Sequence, residues 1–378
     1  MSKNTDLNIV MLGHKRIPSR EGGVEVVVEE LSTRMAALGY PVTCLNRTGH
    51  HVSGEAFDSA KMDRYKGVRI KRVPTINARG MAAVTSSLSG GILAALGPWN
   101  VVHYHAEGPC LSMWIPKLFG KRCIATVHGL DHQRAKWGTA GRLVILLGER
   151  MAVRCADEII VLSENVQKYF KEKYGRDTMV IPNGVNRPEK LAPNLITEKY
   201  GLKGDDYLLF VGRIVPEKGP QYLIEAFKMM NTDKKLVIAG GASDTAEFYD
   251  LVREMNTLGD KIIFTDFIQG DLLREIYSNA YCYILPSDLE GMPLTLLEAM
   301  SFGNCCVTSD IAECADVVGS YGVTFKANNV VDLAEKLQDL CDHPDKVQDI
   351  RVASARFLFE NHDWDKTVEQ TLALYRGE

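Results

Sequence analysis

This sequence predicts two α/β domains, each an open and mostly parallel sheet with helices on both faces, and three observations lead there. Short apolar runs alternate with longer stretches of helical periodicity along most of the chain. The alternation breaks once, where Met179-Val-Ile-Pro-Asn-Gly-Val-Asn186 and a proline-bearing polar segment to Leu195 read as the end of one domain and a linker. At 378 residues the chain is long enough for two cores of ordinary size. The predicted domains are residues 1–186 and 187–360.

In the first domain, Leu7–Leu12 reads as a buried strand, and Gly22-Gly23 opens the helical stretch Val24–Leu38. Glycines at a helix start let backbone amides approach an anion, although they also serve simply to make a turn. Val42–Leu45, Val68–Val73, Val101–Tyr104, Cys123–Val127 and Ile159–Leu162 read as further strands. Ligands of such sheets bind beyond the carboxyl ends of the strands, and His128-Gly129 follows Cys123–Val127 directly. A histidine there either donates a hydrogen bond to a bound polar group or caps the loop. His103-Tyr-His105 could face one way on a strand. It has no carboxylate or cysteine at ligand spacing, so no metal is assigned.

In the second domain the pattern is a strand at Tyr207–Val211, a helix at Tyr222–Met230, a strand at Lys235–Ala239 and a helix at Ala246–Leu258. A strand at Lys261–Phe264, a helix at Leu272–Ser278 and a strand at Ala280–Leu285 follow. After the first of these strands comes Gly212-Arg-Ile-Val-Pro-Glu-Lys-Gly219. Arg213 and Lys218 bracket a loop with glycine at both ends, the combination of planar fork, point charge and open amides that suits a diphosphate; solvated loop cations are the other reading. Gly240-Gly241 ends the next strand and would let a base or phosphate approach.

Pro286-Ser-Asp-Leu-Glu-Gly-Met-Pro-Leu-Thr-Leu-Leu-Glu-Ala-Met-Ser-Phe-Gly303 reads as loop and helix, with Pro293 at the first helical position and Gly303 closing the helix. The N–H groups of Leu294 and Thr295 then lack internal acceptors and suit a phosphate. Glu290 precedes them, and Glu298 lies one turn beyond Thr295 on the same face.

Composition excludes several classes. Hydrophobic content of 46% with 24% charge describes a soluble globular protein, and no run approaches the roughly 18 apolar residues of a spanning helix. Met1-Ser-Lys-Asn-Thr-Asp carries no signal-peptide pattern. Nine cysteines without Cys-x-x-Cys pairs predict reduced thiols in the cytoplasm, and Cys305-Cys306 reads as buried strand. Asn46-Arg-Thr48 matches a glycosylation acceptor but is irrelevant in a chain that is never exported. Residues 1–186 hold 25 Lys+Arg against 16 Asp+Glu, and residues 187–378 hold 19 against 32, so the halves have different partners. Nucleic acid is not among them, for no recognition motif accompanies the charge.

Taken together, Gly212-Arg213 through Lys218-Gly219, Glu290-x7-Glu298, Pro182-Asn-Gly-Val, Gly22-Gly23 and Val127-His128-Gly129 resemble the retaining glycosyltransferases of family 4 (glycosyltransferase group 1 type), over nearly the whole chain and in the expected order. The resemblance implies the GT-B fold: two Rossmann-like domains facing across a cleft, with a final helix, here residues 361–378 and matched by Trp364–Tyr375, crossing back onto the first. It implies a nucleotide-sugar donor on the second domain and an acceptor on the first. Arg213 and Lys218 would neutralise the diphosphate, and Gly212, Met292, Pro293, Leu294 and Thr295 would line the donor. Glu298 would accept from the ribose hydroxyls, and Glu290 and His128 would hold the transferred sugar. Gly22-Gly23 would approach the phosphates, and backbone near Phe267-Ile268 would meet the base.

A UDP-sugar is the expected donor on family frequency. No cofactor and no metal are expected; Asp363-Trp-Asp365 is discounted as an Asp-x-Asp metal motif. A sugar-nucleotide 2-epimerase and a non-catalytic nucleotide-sugar sensor are the alternatives. Lys117, Lys121, Arg122, Arg134, Lys136, Arg142, Arg150 and Arg154, with Trp114, Trp137 and Leu143–Leu147, further predict peripheral contact with an anionic membrane and a saccharide or lipid-linked saccharide acceptor. A solvated basic face is the other reading.

Overall fold

The computed structural model describes residues 7–20, 22–48, 62–76, 81–134, 137–241 and 246–378. The backbone divides into two compact units, Met1–Gly184 with Trp364–Glu378, and Val185–Asp363.

The first unit holds β1 (Ile9–Leu12), β2 (Val42–Arg47), β3 (Arg64–Tyr65), β4 (Val68–Val73), β5 (Val101–His105), β6 (Arg122–Val127), β7 (Glu158–Val161) and β8 (Met179–Val180). Its helices before the linker are α1 (Gly23–Ala37), α2 (Met81–Leu96), α3 (Trp114–Leu118), α4 (Thr139–Cys155) and α5 (Glu164–Tyr174). The strand order is β3-β4-β2-β1-β5-β6-β7-β8. Only the β3–β4 pair is antiparallel among the described strands.

Every residue of β1 and β5 is buried, as in a parallel sheet covered on both faces; β1 is apolar throughout, whereas β5 buries His103 and His105 among its apolar residues. Toward the edge, β4 alternates instead, with Arg69 and Arg72 exposed between Val68, Ile70 and Val73. The antiparallel β3 beside it gives no apolar run, which is why sequence patterning passes over it. α5 carries its own punctuation: Ser163 caps it by accepting from Val166 N, and Gly175 ends it at φ +64°.

The second unit holds β9 (Tyr207–Val211), β10 (Lys235–Ala239), β11 (Ile262–Asp266), β12 (Cys282–Leu285), β13 (Cys305–Ser309) and β14 (Val323–Phe325). Its helices are α6 (Leu195–Tyr200), α7 (Pro220–Met229), α8 (Ala246–Glu254), α9 (Gly270–Ser278), α10 (Leu294–Ser301), α11 (Ala312–Val318), α12 (Val330–Asp342) and α13 (Pro344–Asn361). All pairs are parallel, in the order β11-β10-β9-β12-β13-β14. In each sheet the order of successive strands switches from one side to the other between two parallel neighbours, β1 and β5 in the first unit and β9 and β12 in the second. In open sheets of this kind the helices leave opposite faces at such a switch, and ligands bind in the crevice above the strand ends.

Two local expectations change. The helix read over Ala246–Leu258 stops at Glu254, since Asn256 Oδ1 takes the Leu258 N–H at 3.0 Å in place of a helical acceptor. Pro293 is the N-cap of α10, not its first helical residue: it stays extended at φ −75°, ψ 99°, and Leu294 begins the helix. Gly303, at φ +72°, closes α10 as expected, with Gly303 N donating to Met300 O and Asn304 N to Ala299 O. Cys305 and Cys306 lie buried inside β13.

After α13 the chain returns to the first unit as α14 (Trp364–Arg376). Thr367 Oγ1 donates to Pro182 O at 2.9 Å, Arg122 Nε to Leu374 O at 2.8 Å, and Tyr375 Oη meets His103 Nδ1 at 2.6 Å. A methyl at Gly184 would stand 2.2 Å from Trp364 N, so only glycine admits this packing. Among the described residues no helix is long and apolar enough to cross a membrane.

Candidate active site

At the carboxyl ends of β9 and β12 three loops are drawn together by glycine. Gly240, at φ +149°, brings its backbone so near Gly212 that a Cβ would lie 1.7 Å from the Gly212 carbonyl oxygen. Gly219, at φ +71°, seats the turn Pro216–Lys218 against β12's end, where a Cβ would meet Pro286 O at 2.0 Å. Asp288 N then donates to Glu217 O at 2.9 Å. This seam delivers Lys218 Nζ to 2.5 Å from Glu290 Oε1, with both side chains largely buried. Ser287 Oγ donates to the same carboxylate oxygen at 2.7 Å, and Ser309 Oγ holds the Ser287 carbonyl at 2.5 Å. Beside them Tyr222 Oη donates to Asp288 Oδ2 at 3.1 Å; burial raises the Asp288 carboxyl despite that bond. Arg213 follows Gly212 and is half-buried.

α10 starts above β12. Leu296 N and Leu297 N both turn back to Pro293 O, which leaves the N–H groups of Leu294 and Thr295 without an acceptor inside the helix. The first turn is held from below: buried Tyr283 Oη donates to Thr295 Oγ1 at 2.9 Å. Buried Tyr277 Oη lies 3.4 Å from both Thr295 O and Glu298 Oε2. Glu298 is half-exposed, while Glu290 is buried at 7% exposure. Phe267 and Ile268 follow β11; Phe267 is exposed and packs beside Gly241, and Ile268 is buried. Gly212, Arg213, Lys218, Phe267, Ile268, Glu290, Met292, Pro293, Leu294, Thr295 and Glu298 therefore all follow strand ends or open α10 in one unit.

Gly22, Gly23 and His128 lie in the first unit. Gly22 is the extended N-cap of α1, where a Cβ would stand 2.7 Å from Glu25 Oε2, and Gly23 is the first helical residue. Glu25 Oε1 accepts from Lys15 N at 2.9 Å and ties the loop after β1 to α1. In that loop Gly13, at φ +106°, presses on β5, since a Cβ would meet His105 O at 2.2 Å.

Around this point gather four histidines. His105 Nδ1 lies 3.1 Å from His128 Nε2, His103 contacts Tyr375 Oη and Thr126 Oγ1, and His14 Nε2 meets Asn46 Oδ1 at 3.1 Å. Burial holds their rings neutral, with His14 and His128 lowered to about 4 and His103 to about 3. Sequence reasoning does not single out His14, Ser287 or the two tyrosines under α10, and it meets His105 only as half of a metal pattern. A glycine directly after the first strand, followed by His14-Lys-Arg, is the available signal.

One further polar group lies in the first unit. Glu107, His132 and Glu149 bring candidate ligand atoms within 4.8 Å of one another. Glu149 is already served by Lys173 Nζ at 2.9 Å and Tyr169 Oη at 3.0 Å. The Glu107 carboxyl is raised well above the usual range by burial and by its hydrogen bond with Glu149.

Residues 21–187 match the family described as Glycosyltransferase Family 4, and residues 194–357 match Glycosyl transferases group 1. The chain belongs to glycosyltransferase family 4. An alpha-maltose-1-phosphate synthase of Mycolicibacterium smegmatis is 26% identical, over 98% of this chain and 99% of that protein. Among solved structures, sucrose-phosphate synthase from Thermosynechococcus elongatus superposes with a TM-score of 0.81 at 22% identity, covering 98% of both chains. Anabaena HepE in complex with UDP and glucose gives a TM-score of 0.81 at 15% identity, covering 98% of this chain and 99% of that one. The two parallel-sheet units and the returning α14 are the GT-B fold of this family 4 glycosyltransferase.

Proposed function

We propose that this family 4 enzyme is a retaining, metal-independent hexosyltransferase that uses a nucleotide-sugar donor, a UDP-sugar, and a saccharide or lipid-linked saccharide acceptor. The observation that carries the reading is the meeting of Lys218 with Glu290 at the β9/β12 switch, beside the open N–H groups of α10. A basic point charge and helix amides stabilise a departing diphosphate, while a buried carboxylate accepts from sugar hydroxyls. HepE, with the same fold, has been crystallised with UDP and glucose, which supports uracil as the base.

In this reading Arg213, Lys218 and the amides of Leu294 and Thr295 bind the phosphates, with Gly212, Met292 and Pro293 lining them, and Glu298 accepts from the ribose. Phe267-Ile268 backbone meets the base, Glu290 and His128 hold the sugar, and Gly22-Gly23 approach the phosphates. The anomeric carbon–phosphate oxygen bond breaks toward an oxocarbenium-like state, and the acceptor oxygen bonds to the same face. Its proton passes to the departing phosphate oxygen, so charges and atoms balance without a protein nucleophile. Fixed cations act where charge grows most, on the leaving group.

The acceptor reading draws on the surface of α3 and α4. Leu143, Leu147, Arg150 and Arg154 recur at helical spacing along α4 and are all exposed, as are Arg142, Trp114, Leu118 and Phe119. Apolar anchors among cations suit an anionic leaflet, which supports a cytoplasmic enzyme, peripheral to the membrane, in cell-surface polysaccharide assembly. Several of the cations counted toward this face have internal partners: Lys117 pairs with Asp157, Arg122 with Glu158 and Arg134 with Asp131. Trp137 is half-buried, and Lys136 lies outside the described residues.

An NMR time course with UDP-glucose and a panel of saccharide acceptors, run with and without EDTA, tests the chemistry. The product is expected to keep the donor's anomeric configuration at an unchanged rate in EDTA. Inversion removes the retaining assignment, and isomerisation of the donor without acceptor points to the epimerase. Sedimentation with vesicles tests the surface: binding is expected to need anionic lipid and to weaken with salt.

A further inference from the structure

We infer that His105 is a positioning residue for His128: it donates a hydrogen bond from Nδ1 to His128 Nε2 and so places the His128 proton on Nδ1. The inference rests on the reading above that His128 contacts the transferred sugar.

The two rings come from adjacent strands. β5 ends at His105, which pairs in register with Thr126 of β6, two residues before His128. His105 Nδ1 lies 3.1 Å from His128 Nε2, with the ring centroids 5.3 Å apart and the ring planes inclined by 27°. On its other side His105 packs on His103 at 4.2 Å, and both nitrogens of His103 are engaged, by Tyr375 Oη and Thr126 Oγ1. The His105 ring is wholly buried, and its remaining nitrogen, Nε2, has no hydrogen-bond partner among the described residues.

A neutral imidazole carries one N–H and one lone pair. A proton on His105 Nε2 would bury an unpaired donor, whereas a proton on Nδ1 leaves only a lone pair unused. Orphaned buried N–H groups are the rarer and costlier case. His105 Nδ1–H therefore points at His128 Nε2, which must accept, and the His128 proton sits on Nδ1.

His14 follows the same rule nearby. Asn46 Nδ2 donates to Ile17 O and Asn46 Oδ1 accepts from Ile17 N, which orients the amide; His14 Nε2 must then donate to Oδ1, and its unpartnered Nδ1 is again a lone pair. The consequence for the site is a change of character. With Nε2 occupied, His128 offers a ligand an N–H donor at Nδ1. Without His105 it relaxes toward the Nε2–H form that imidazoles favour in water and offers a lone pair in that place.

The test uses the full chain with 15N-labelled histidine. Long-range proton–nitrogen spectra report which ring nitrogen carries the proton, and His128 is assigned by the signal lost in His128→Gln. In the wild type, His128 is expected with Nδ1 protonated and Nε2 bare. His105→Asn retains an N–H donor near the Nδ1 position and is expected to keep that form, with UDP-glucose turnover within about threefold of wild type. His105→Asp presents an acceptor instead and is expected to invert the His128 tautomer and lower kcat on the order of tenfold or more, as loss of a placed donor does.

An Nε2–H signal for His128 in the wild type, or an unchanged tautomer in His105→Asp, overturns the inference. If the tautomers respond as stated but His128→Gln turns over normally, the sugar contact of His128 fails and the inference about His105 stands. Should His105→Asp not fold, the wild-type and His105→Asn spectra decide alone.

Discussion

Lys218 Nζ stands 2.5 Å from Glu290 Oε1 although the two residues are 72 positions apart. Neither loop would bring its side chain there by itself; Gly219 against Pro286 O and Asp288 N on Glu217 O bring the two chains together. The pair sits where a donor diphosphate and its sugar are proposed to meet, so Lys218 is held in place before any ligand arrives.

The first prediction follows from that pair's burial, with 12% and 6% of the side chains exposed. Removing one partner leaves the other charged and poorly solvated, at a cost of about 3–5 kcal/mol in comparable buried pairs. Lys218→Met and Glu290→Gln are each expected to destabilise the fold, and the double variant less than their sum. Urea unfolding of the four proteins checks this. Additive losses would mean that the two side chains do not interact in solution.

For catalysis, Arg213→Ala and Lys218→Ala are each expected to lower the transfer rate on the order of a hundredfold or more, as loss of a preorganised charge donor does elsewhere. Near-normal rates in both, with folding intact, would remove the diphosphate assignment.

Glu298 supports a different expectation. It lies one turn beyond the open amides of α10 and near buried Tyr277, and in the proposed reading its carboxylate contributes to ground-state binding of the ribose. Glu298→Gln is expected to weaken UDP affinity more than it slows the bound complex. Calorimetry with UDP is the check, and equal affinity in mutant and wild type sinks the ribose role.

Gly219→Ala is expected to abolish transfer, because it forces a side chain into 2.0 Å contact with Pro286 O at φ +71°. The control is Gly39→Ala, which is strained at φ +92° but meets nothing within 4 Å. Turnover in Gly219→Ala matching that in Gly39→Ala would mean that the close approach has no functional consequence.

His103 gives a pH prediction. Burial lowers its pKa from the ordinary histidine value of 6.5 to about 3, so the unfolded chain binds a proton in this range that the folded chain refuses. Its stabilising contribution is complete above about pH 6.5 and is lost as pH falls toward 3. The stability gap between wild type and His103→Gln is therefore expected to shrink from about pH 7.5 to about pH 5. A gap independent of pH would contradict a neutral, buried His103.

Strand placement was largely legible in the sequence, because parallel strands covered on both faces must be apolar at consecutive positions; Tyr207–Val211 and Lys235–Ala239 are found at the predicted residues. The turn chemistry at Gly303 was equally legible, since only a residue tolerant of positive φ closes α10 there. What patterning missed was set by hydrogen bonding between competing partners and by proline's extended backbone: Asn256 Oδ1 takes the Leu258 N–H that a longer α8 would direct to Glu254 O, and Pro293 stays outside α10.

The sequence by itself determined which residue types follow which strands, and so the chemistry available: cations after β9, carboxylates and open amides after β12, a histidine after β6. Only the tertiary structure decided which of them meet. Lys218 found Glu290 because a glycine at 219 and a reversal of strand order put two distant loops side by side, and His105 found His128 because β5 and β6 pair in register. Composition and spacing record local preferences along the chain. A contact across 72 residues depends on strand order and on close backbone approach, which no local pattern encodes.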